Sequence, residues 1–214
     1  MIRAAASFRG SALIRVRSAA GIRLEGFAID GNRAALEKPA GLPPSDVPFC
    51  RFTANNGILA EDVKDLRVSE VRMSNIAGFA ILVARSSGGT IDKVRGVDSG
   101  SKNEKGRNNT TGGILLEEGT SGFQVVNCSL TNVLGNGIWT HSLYTSLRNR
   151  DGRIAGNTLE GIGRDALQAG HATGVHIEDN SGRRIGYPPE AVDVENGAIP
   201  VAIDTAGNVD KSVY

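Results

Sequence analysis

Apolar and polar positions alternate with a period of two along most of this chain, in segments too short for helices and bracketed by Gly, Asn and Asp. One track of such segments starts from a turn: Asn55-Asn56-Gly57-Ile58-Leu59-Ala60, Gly78-Phe79-Ala80-Ile81-Leu82-Val83, Thr111-Gly112-Gly113-Ile114-Leu115-Leu116, Gly135-Asn136-Gly137-Ile138-Trp139-Thr140 and Gly163-Arg164-Asp165-Ala166-Leu167-Gln168. Aligned on positions 58, 81, 114, 138 and 166, the copies step by 23, 33, 24 and 28 residues. Periods of this size mark a repeat architecture.

Two further tracks follow the first. The second runs through Gly21–Leu24, Asp65–Val68, Thr90–Lys93, Gly122–Val125, Ser146–Asn149 and Gly174–Ile177. The third runs through Phe27–Asn32, Val71–Asn75, Cys128–Asn132 and Arg153–Asn157. Three short strands per unit describe a chain that winds round and stacks each strand on its counterpart, with coils roughly 4.8 Å apart. Asn32, Asn75, Asn132 and Asn157 are expected to close corresponding strands, because Asn tolerates the left-handed conformation of a tight corner. Stacked, their side chains form a ladder; otherwise they are ordinary turn residues.

The Asn-Gly-Ile starts, together with Ile29-Asp30-Gly31-Asn32 and Ile154-Ala155-Gly156-Asn157, resemble the repeats of right-handed parallel β-helix proteins, the pectate-lyase-like superfamily. The resemblance covers roughly residues 10 to 210. It implies an all-β, single-stranded right-handed parallel β-helix of about 6–7 coils with three parallel sheets, forming one domain over residues 1–214. It is specific for fold and weak for activity, since one architecture carries many activities.

Composition adds limits. The net charge of +1 argues against an extended nucleic-acid or membrane surface, and no apolar run is long enough to span a bilayer. Cys50 and Cys128 do not make a disulfide framework. The apolar run near the start is too short for a secretory signal. Strand pattern begins at Ala12-Leu13-Ile14, and Val201-Ala202-Ile203-Asp204 opens a coil that is unfinished at Tyr214. Solenoids cap their end coils, so the chain is expected to be a fragment of a longer β-helix or to have its ends covered by a partner, through end-to-end or lateral self-association.

Three insertions break the rhythm, at residues 33–53, 99–112 and 186–197. Loops that leave one edge of a solenoid often gather on a binding face; otherwise they are tolerated surface loops. Alternation points Ile58, Ile81, Ile114 and Ile138 inward and Leu59, Leu82, Leu115, Trp139 and Leu167 outward. An outward apolar stripe calls for a cover, such as loop 33–53, or for a ligand, with Trp139 as a platform under a sugar ring. Glu61, Glu117 and His141 take the next outward positions.

Candidate chemistry is sparse. Glu117 or Glu118 with Asp165 could supply the carboxylate pair of glycoside hydrolysis. A lyase would need a base, from Lys102, Lys105, Arg107 or Arg164, and a cation such as calcium to neutralise the substrate acid, though no acidic cluster has calcium-ligand spacing. Compared with polygalacturonases, Asp165 follows Arg164 alone, and Gly170-His171-Ala172 keeps the histidine but loses the second glycine. Trp139-Thr140-His141-Ser142 resembles the Trp-Ile-Asp-His segment of pectate lyases without its Asp. No two of His141, His171 and His176 have assignable metal-ligand spacing.

The expectation is a polysaccharide-processing β-helix, hydrolase- or lyase-type, acting on or binding an extended glycan along one face. Its candidate catalytic residues are Glu117, Asp165, His141 and His171, its candidate substrate-binding residues Trp139 and Arg164, and it has no resident metal or cofactor. The alternative is a non-catalytic carbohydrate-binding, adhesive or assembly module. Polysaccharide is the expected partner, and the resemblance implies an extracellular or periplasmic location although the chain shows no signal peptide.

Overall fold

The computed structural model describes residues 1–36, 43–102 and 111–186, and the backbone of strands at 201–203 and 209–213. A first strand, β1 (Ile2–Arg3), precedes six windings of three strands each. They are β2 (Ala12–Arg17), β3 (Arg23–Glu25), β4 (Ala28–Asp30); β5 (Asn56–Glu61), β6 (Arg67–Ser69), β7 (Arg72–Ile76); and β8 (Ile81–Ala84), β9 (Thr90–Asp92), β10 (Arg95–Ser99). Then come β11 (Ile114–Glu117), β12 (Gln124–Val126), β13 (Ser129–Val133); β14 (Ile138–His141), β15 (Asn149–Ala155), β16 (Thr158–Ile162); and β17 (Leu167–Ala169), β18 (Ala172–Glu178), β19 (Ser181–Ile185). A seventh winding contributes β20 (Val201–Ile203) and β21 (Val209–Val213). First strands stack into sheet I, second strands into sheet II, and third strands with β1 into sheet III; each sheet has seven strands and every pairing is parallel. The chain is a three-sheet parallel β-helix.

Register puts like on like. Ile14, Ile58, Ile81, Ile114, Ile138 and Leu167 stack inside sheet I, and Leu24, Val68, Ile91, Val125, Ile154 and Ile177 inside sheet II. Most belong to one continuous apolar core, where each fully buried aliphatic side chain contributes about 1.5–3 kcal/mol. The corners repeat as strictly. The residue after each sheet II strand is left-handed in all six windings: Gly26, Glu70, Lys93, Asn127, Gly156 and Asp179. A second left-handed row, Asn75, Asp98, Asn132, Gly161 and Arg184, crosses sheet III. The Gly before Ile58, Ile114 and Ile138 in sheet I answers a different need. A Cβ on Gly137 would lie 2.4 Å from the Ala166 carbonyl oxygen of the next coil, so only a glycine admits that approach.

Several sequence expectations shift. The fifth copy of the first track slips by one: Leu167 pairs with Ile138 and faces the core, and Gln168 pairs with Trp139 and faces out. A single-residue slip moves every side chain to the opposite face. In the fifth winding, 142–148 is a turn, and sheet II is formed by β15, so Arg153 and Ile154 belong to the second track rather than the third. Asn157 therefore sits at a different corner from Asn75 and Asn132. Asn75 and Asn132 each donate to an aspartate of the preceding coil, Asp30 and Asp98. Asn157 is buried, accepts the Cys128 N–H, donates to the Val125 carbonyl, and pairs with Asn180 of the next coil rather than with Asn75 or Asn132. Both cysteines are free and buried. Lys105, Arg107 and the Tyr187–Pro189 part of the third insertion lie outside the described residues.

Candidate functional site

The outer face of sheet I is covered. Residues 43–53 cross it as a strap carrying one short helix, α1 (Phe49–Phe52), so this part of the first insertion lies over the stripe, whereas residues 33–35 pack against β7. Phe49 and Cys50 bury themselves against Leu59, Phe79, Leu82, Ala84, Leu115 and Trp139. The Phe49 ring meets Phe79 and Trp139 edge to face, with centroids 6.0 and 5.2 Å apart. Trp139 is only 8% exposed, so its indole faces meet protein.

The next outward row, Glu61, Ala84, Glu117 and His141, runs along the strap. Glu117 is fully buried, and its two oxygens accept the N–H groups of Phe49 (3.0 Å) and Cys50 (2.6 Å), orphan donors of the first helical turn. Burial pushes its carboxyl up to about 7, against the opposing pull of those bonds. Glu61 accepts from Arg15 and Arg85; Arg85 also bridges Asp62 at 2.8 Å and points Nη1 at the Cys50 sulfur, 3.4 Å away. The Arg85 hydrogen bond holds the Asp62 carboxyl low, and burial, followed by the Glu117 charge, pushes the Cys50 thiol up to about 12.

Beside the strap lies a cleft of about 220 Å³, bounded by Pro43, Pro44, Ser45, Val47 and Phe49 on one side and His141–Tyr144 on the other. His141 is its inner corner, with its ring 5.3 Å from Phe49 and 5.0 Å from Trp139. His171, on the next winding, brings its Nδ1 to 3.1 Å from the Nδ1 of His141. A hydrogen bond at that distance has one Nδ1 donating and the other accepting, the assignment depending on the tautomers of the two rings. Tyr144 stands perpendicular to His171 at 5.1 Å.

The structure thus gathers Trp139, His141, His171 and Glu117 at one edge of sheet I. It does not bring Arg164 and Asp165 there. Leu167 pairs with Ile138, which sets Asp165 level with Asn136, five residues or roughly 16 Å along the strand from the His141 row. Burial raises the Asp165 carboxyl, and Arg164 opposes it. A glycosidase holds its carboxylates about 5–9.5 Å apart, a spacing that Glu117 and Asp165 do not have. Glu118 is engaged by the 142–147 turn: Leu143 N–H donates to it at 2.8 Å and the Ser146 hydroxyl donates to its other oxygen. No group of three or more His, Cys, Asp and Glu among the described residues is placed to hold a metal ion.

Sequence reasoning did not single out Phe49, Tyr144 or Glu118's turn. Phe49 follows Pro48 in an insertion without strand period, and Tyr144 lies in a turn that overlaps the Ser146–Asn149 segment of the second track. The one available signal was the stripe itself, which required a cover.

Fold and cleft together define a solenoid with one strapped face and an open groove at the strap's edge. Comparison with protein-family models, curated proteins and solved structures finds no match to the chain.

Proposed function

We propose that this chain is a polysaccharide-binding parallel β-helix of the pectate-lyase-like kind, working outside the cytoplasm, with the cleft beside the strap as its ligand site. The observation that carries the reading is the cleft's lining: two prolines and Phe49 on one wall, Ser45, Ser142 and His141 among them, and Tyr144 at the rim. That mixture suits the apolar face and hydroxyl edge of a sugar ring. Its volume is below the about 300–1,000 Å³ of a drug-sized ligand site, so it takes one residue of a glycan rather than a long stretch.

Binding is favoured over two-carboxylate hydrolysis because Glu117 holds the strap, Glu118 holds the turn, and Asp165 stands far along the sheet. A lyase-type reaction is the second reading, supported by the Nδ1–Nδ1 contact of His141 and His171 at the cleft's inner corner, two groups suited to acid–base work; in that case a calcium ion would have to be supplied with the substrate. The test is a panel of neutral and acidic polysaccharides, with binding followed by calorimetry and turnover by reducing ends and by absorbance of unsaturated products. Saturable binding without products supports the module, unsaturated products support the lyase, and no binding to any polysaccharide overturns both.

A further inference from the structure

The most exposed aromatic residue at the cleft is not the one the stripe singled out. Tyr144 is 78% exposed, whereas Trp139 is covered. An exposed aromatic ring at a turn tip normally samples many positions, and ordering it on binding costs affinity. Here the turn is tied at three points. Asn149, itself fully buried, donates to the His141 carbonyl at 2.9 Å and to the Ser142 hydroxyl at 3.2 Å, and accepts the Thr120 N–H. Glu118 accepts from Leu143 and Ser146, the residues on either side of Tyr144-Thr145. Ser146 N–H closes the turn on the Leu143 carbonyl at 3.0 Å. Glu118 can reach this position because its backbone is left-handed, with φ 57°, which turns its side chain off the end of β11 toward the neighbouring coil.

Resting on the function proposed above, we infer that Tyr144 is the stacking platform for the bound sugar ring and that Glu118 is the residue that positions it. The turn holds the phenol ring against His171 and over the mouth of the cleft before any ligand arrives. The occupant is a single pyranose-type residue within a glycan: it needs an apolar face for Tyr144 and the two prolines, and hydroxyls for Ser45 and His141. A peptide with an aromatic side chain is the competing occupant, and a polysaccharide that binds while aromatic peptides do not separates the two.

The experiment measures binding of the tightest polysaccharide from the panel to the whole chain, by calorimetry, for the wild type, Tyr144→Ala, Tyr144→Phe, Glu118→Ala and the Glu118→Ala/Tyr144→Ala double variant, each checked for native thermal unfolding. Tyr144→Ala weakens binding about tenfold or more, and Tyr144→Phe keeps it within about threefold, because the ring face rather than the hydroxyl makes the contact. Glu118→Ala weakens binding about threefold to tenfold when Tyr144 is present and has no further effect when it is absent, the signature of a residue acting through another. Unchanged affinity in Tyr144→Ala overturns the platform. Equal losses from Glu118→Ala in both backgrounds overturn the positioning role. If the wild type binds no polysaccharide, or binds aromatic peptides instead, the proposed function itself falls and this inference falls with it.

Discussion

The buried carboxylate of Glu117 accepts two consecutive backbone N–H groups, those of Phe49 and Cys50, from a segment that lies more than sixty residues earlier in the chain. A sheet residue thereby fixes the first helical turn of a covering strap. The contact joins an outward row of the β-helix to the only helix longer than one turn of 3₁₀ among the described residues.

That contact makes stability depend on pH. Burial raises the folded-state carboxyl of Glu117 to about 7 from an ordinary value of 4.5. Between those two values the folded chain holds a proton that the unfolded chain has lost, so stability falls as pH rises through this window and levels off above it. The full span amounts to on the order of 3 kcal/mol at most. Urea unfolding from pH 5 to pH 8 should show the decline, and Glu117→Gln should flatten it. Glu117→Ala leaves two buried donors without an acceptor and should destabilise the strap by about 2–4 kcal/mol, read as faster amide exchange at residues 49–53.

Phe49 is the strap's main apolar anchor, and it lies against the chain's single tryptophan. Phe49→Ala removes a buried ring, at a cost of about 3–5 kcal/mol, and most of that cost falls on strap docking rather than on the coils, whose core is a separate cluster. The expected outcome is a red shift of Trp139 emission in a chain that keeps its β circular dichroism. Emission unchanged from wild type would mean that other strap residues cover the indole unaided.

How far this was legible in the sequence differs by feature. The coil and its inward rows were readable because period-two alternation is local, and stacking then follows from repetition. The outward stripe was readable for the same reason, which is why a cover could be expected over Leu59, Leu82 and Leu115. The slip at Leu167 was not readable, since Ala166 and Leu167 are both apolar and both enter the core, so composition alone could not choose between registers. The delayed β15 was hidden by Leu147, which fits a strand pattern yet is 80% exposed in the turn. The engagement of Glu117 and Glu118 was invisible, because their partners are backbone amides and a hydroxyl on the strap and in the next winding's turn. The separation of Asp165 from Glu117 depends on a register across two windings, which no sequence spacing states.

The His141–His171 contact fixes a proton. With Nδ1 to Nδ1 at 3.1 Å, one ring must present N–H and the other a lone pair. Nitrogen-15 shifts of the two rings at neutral pH should therefore show one protonated and one unprotonated Nδ1, and His171→Ala should change the His141 pattern. Acid sufficient to protonate both rings sets two positive charges face to edge at a centroid distance of 4.7 Å, so the rings should separate and Tyr144 should move with His171. Two identical, fully protonated Nδ1 signals at neutral pH would contradict the contact.

The two free cysteines report on two different openings. Burial pushes both thiols up to about 12, so neither reacts readily while the chain is fully folded. Cys50 rides on the strap, whereas Cys128 sits inside the coil with its sulfur against the Val126 and Ile91 carbonyls. Exposing Cys50 requires only the strap to lift; exposing Cys128 requires a coil to come apart, which costs close to the global unfolding energy. A neutral thiol reagent in excess should therefore label Cys50 first, and Phe49→Ala and Glu117→Ala should accelerate that step by about tenfold or more while leaving Cys128 at its wild-type rate. Low concentrations of urea should accelerate Cys50 only weakly, because strap lifting exposes little surface, and Cys128 steeply, because unfolding exposes much. Labelling of both cysteines at one rate, with one urea dependence, would show that strap and coils open together and that the strap is an integral part of the core rather than a cover upon it.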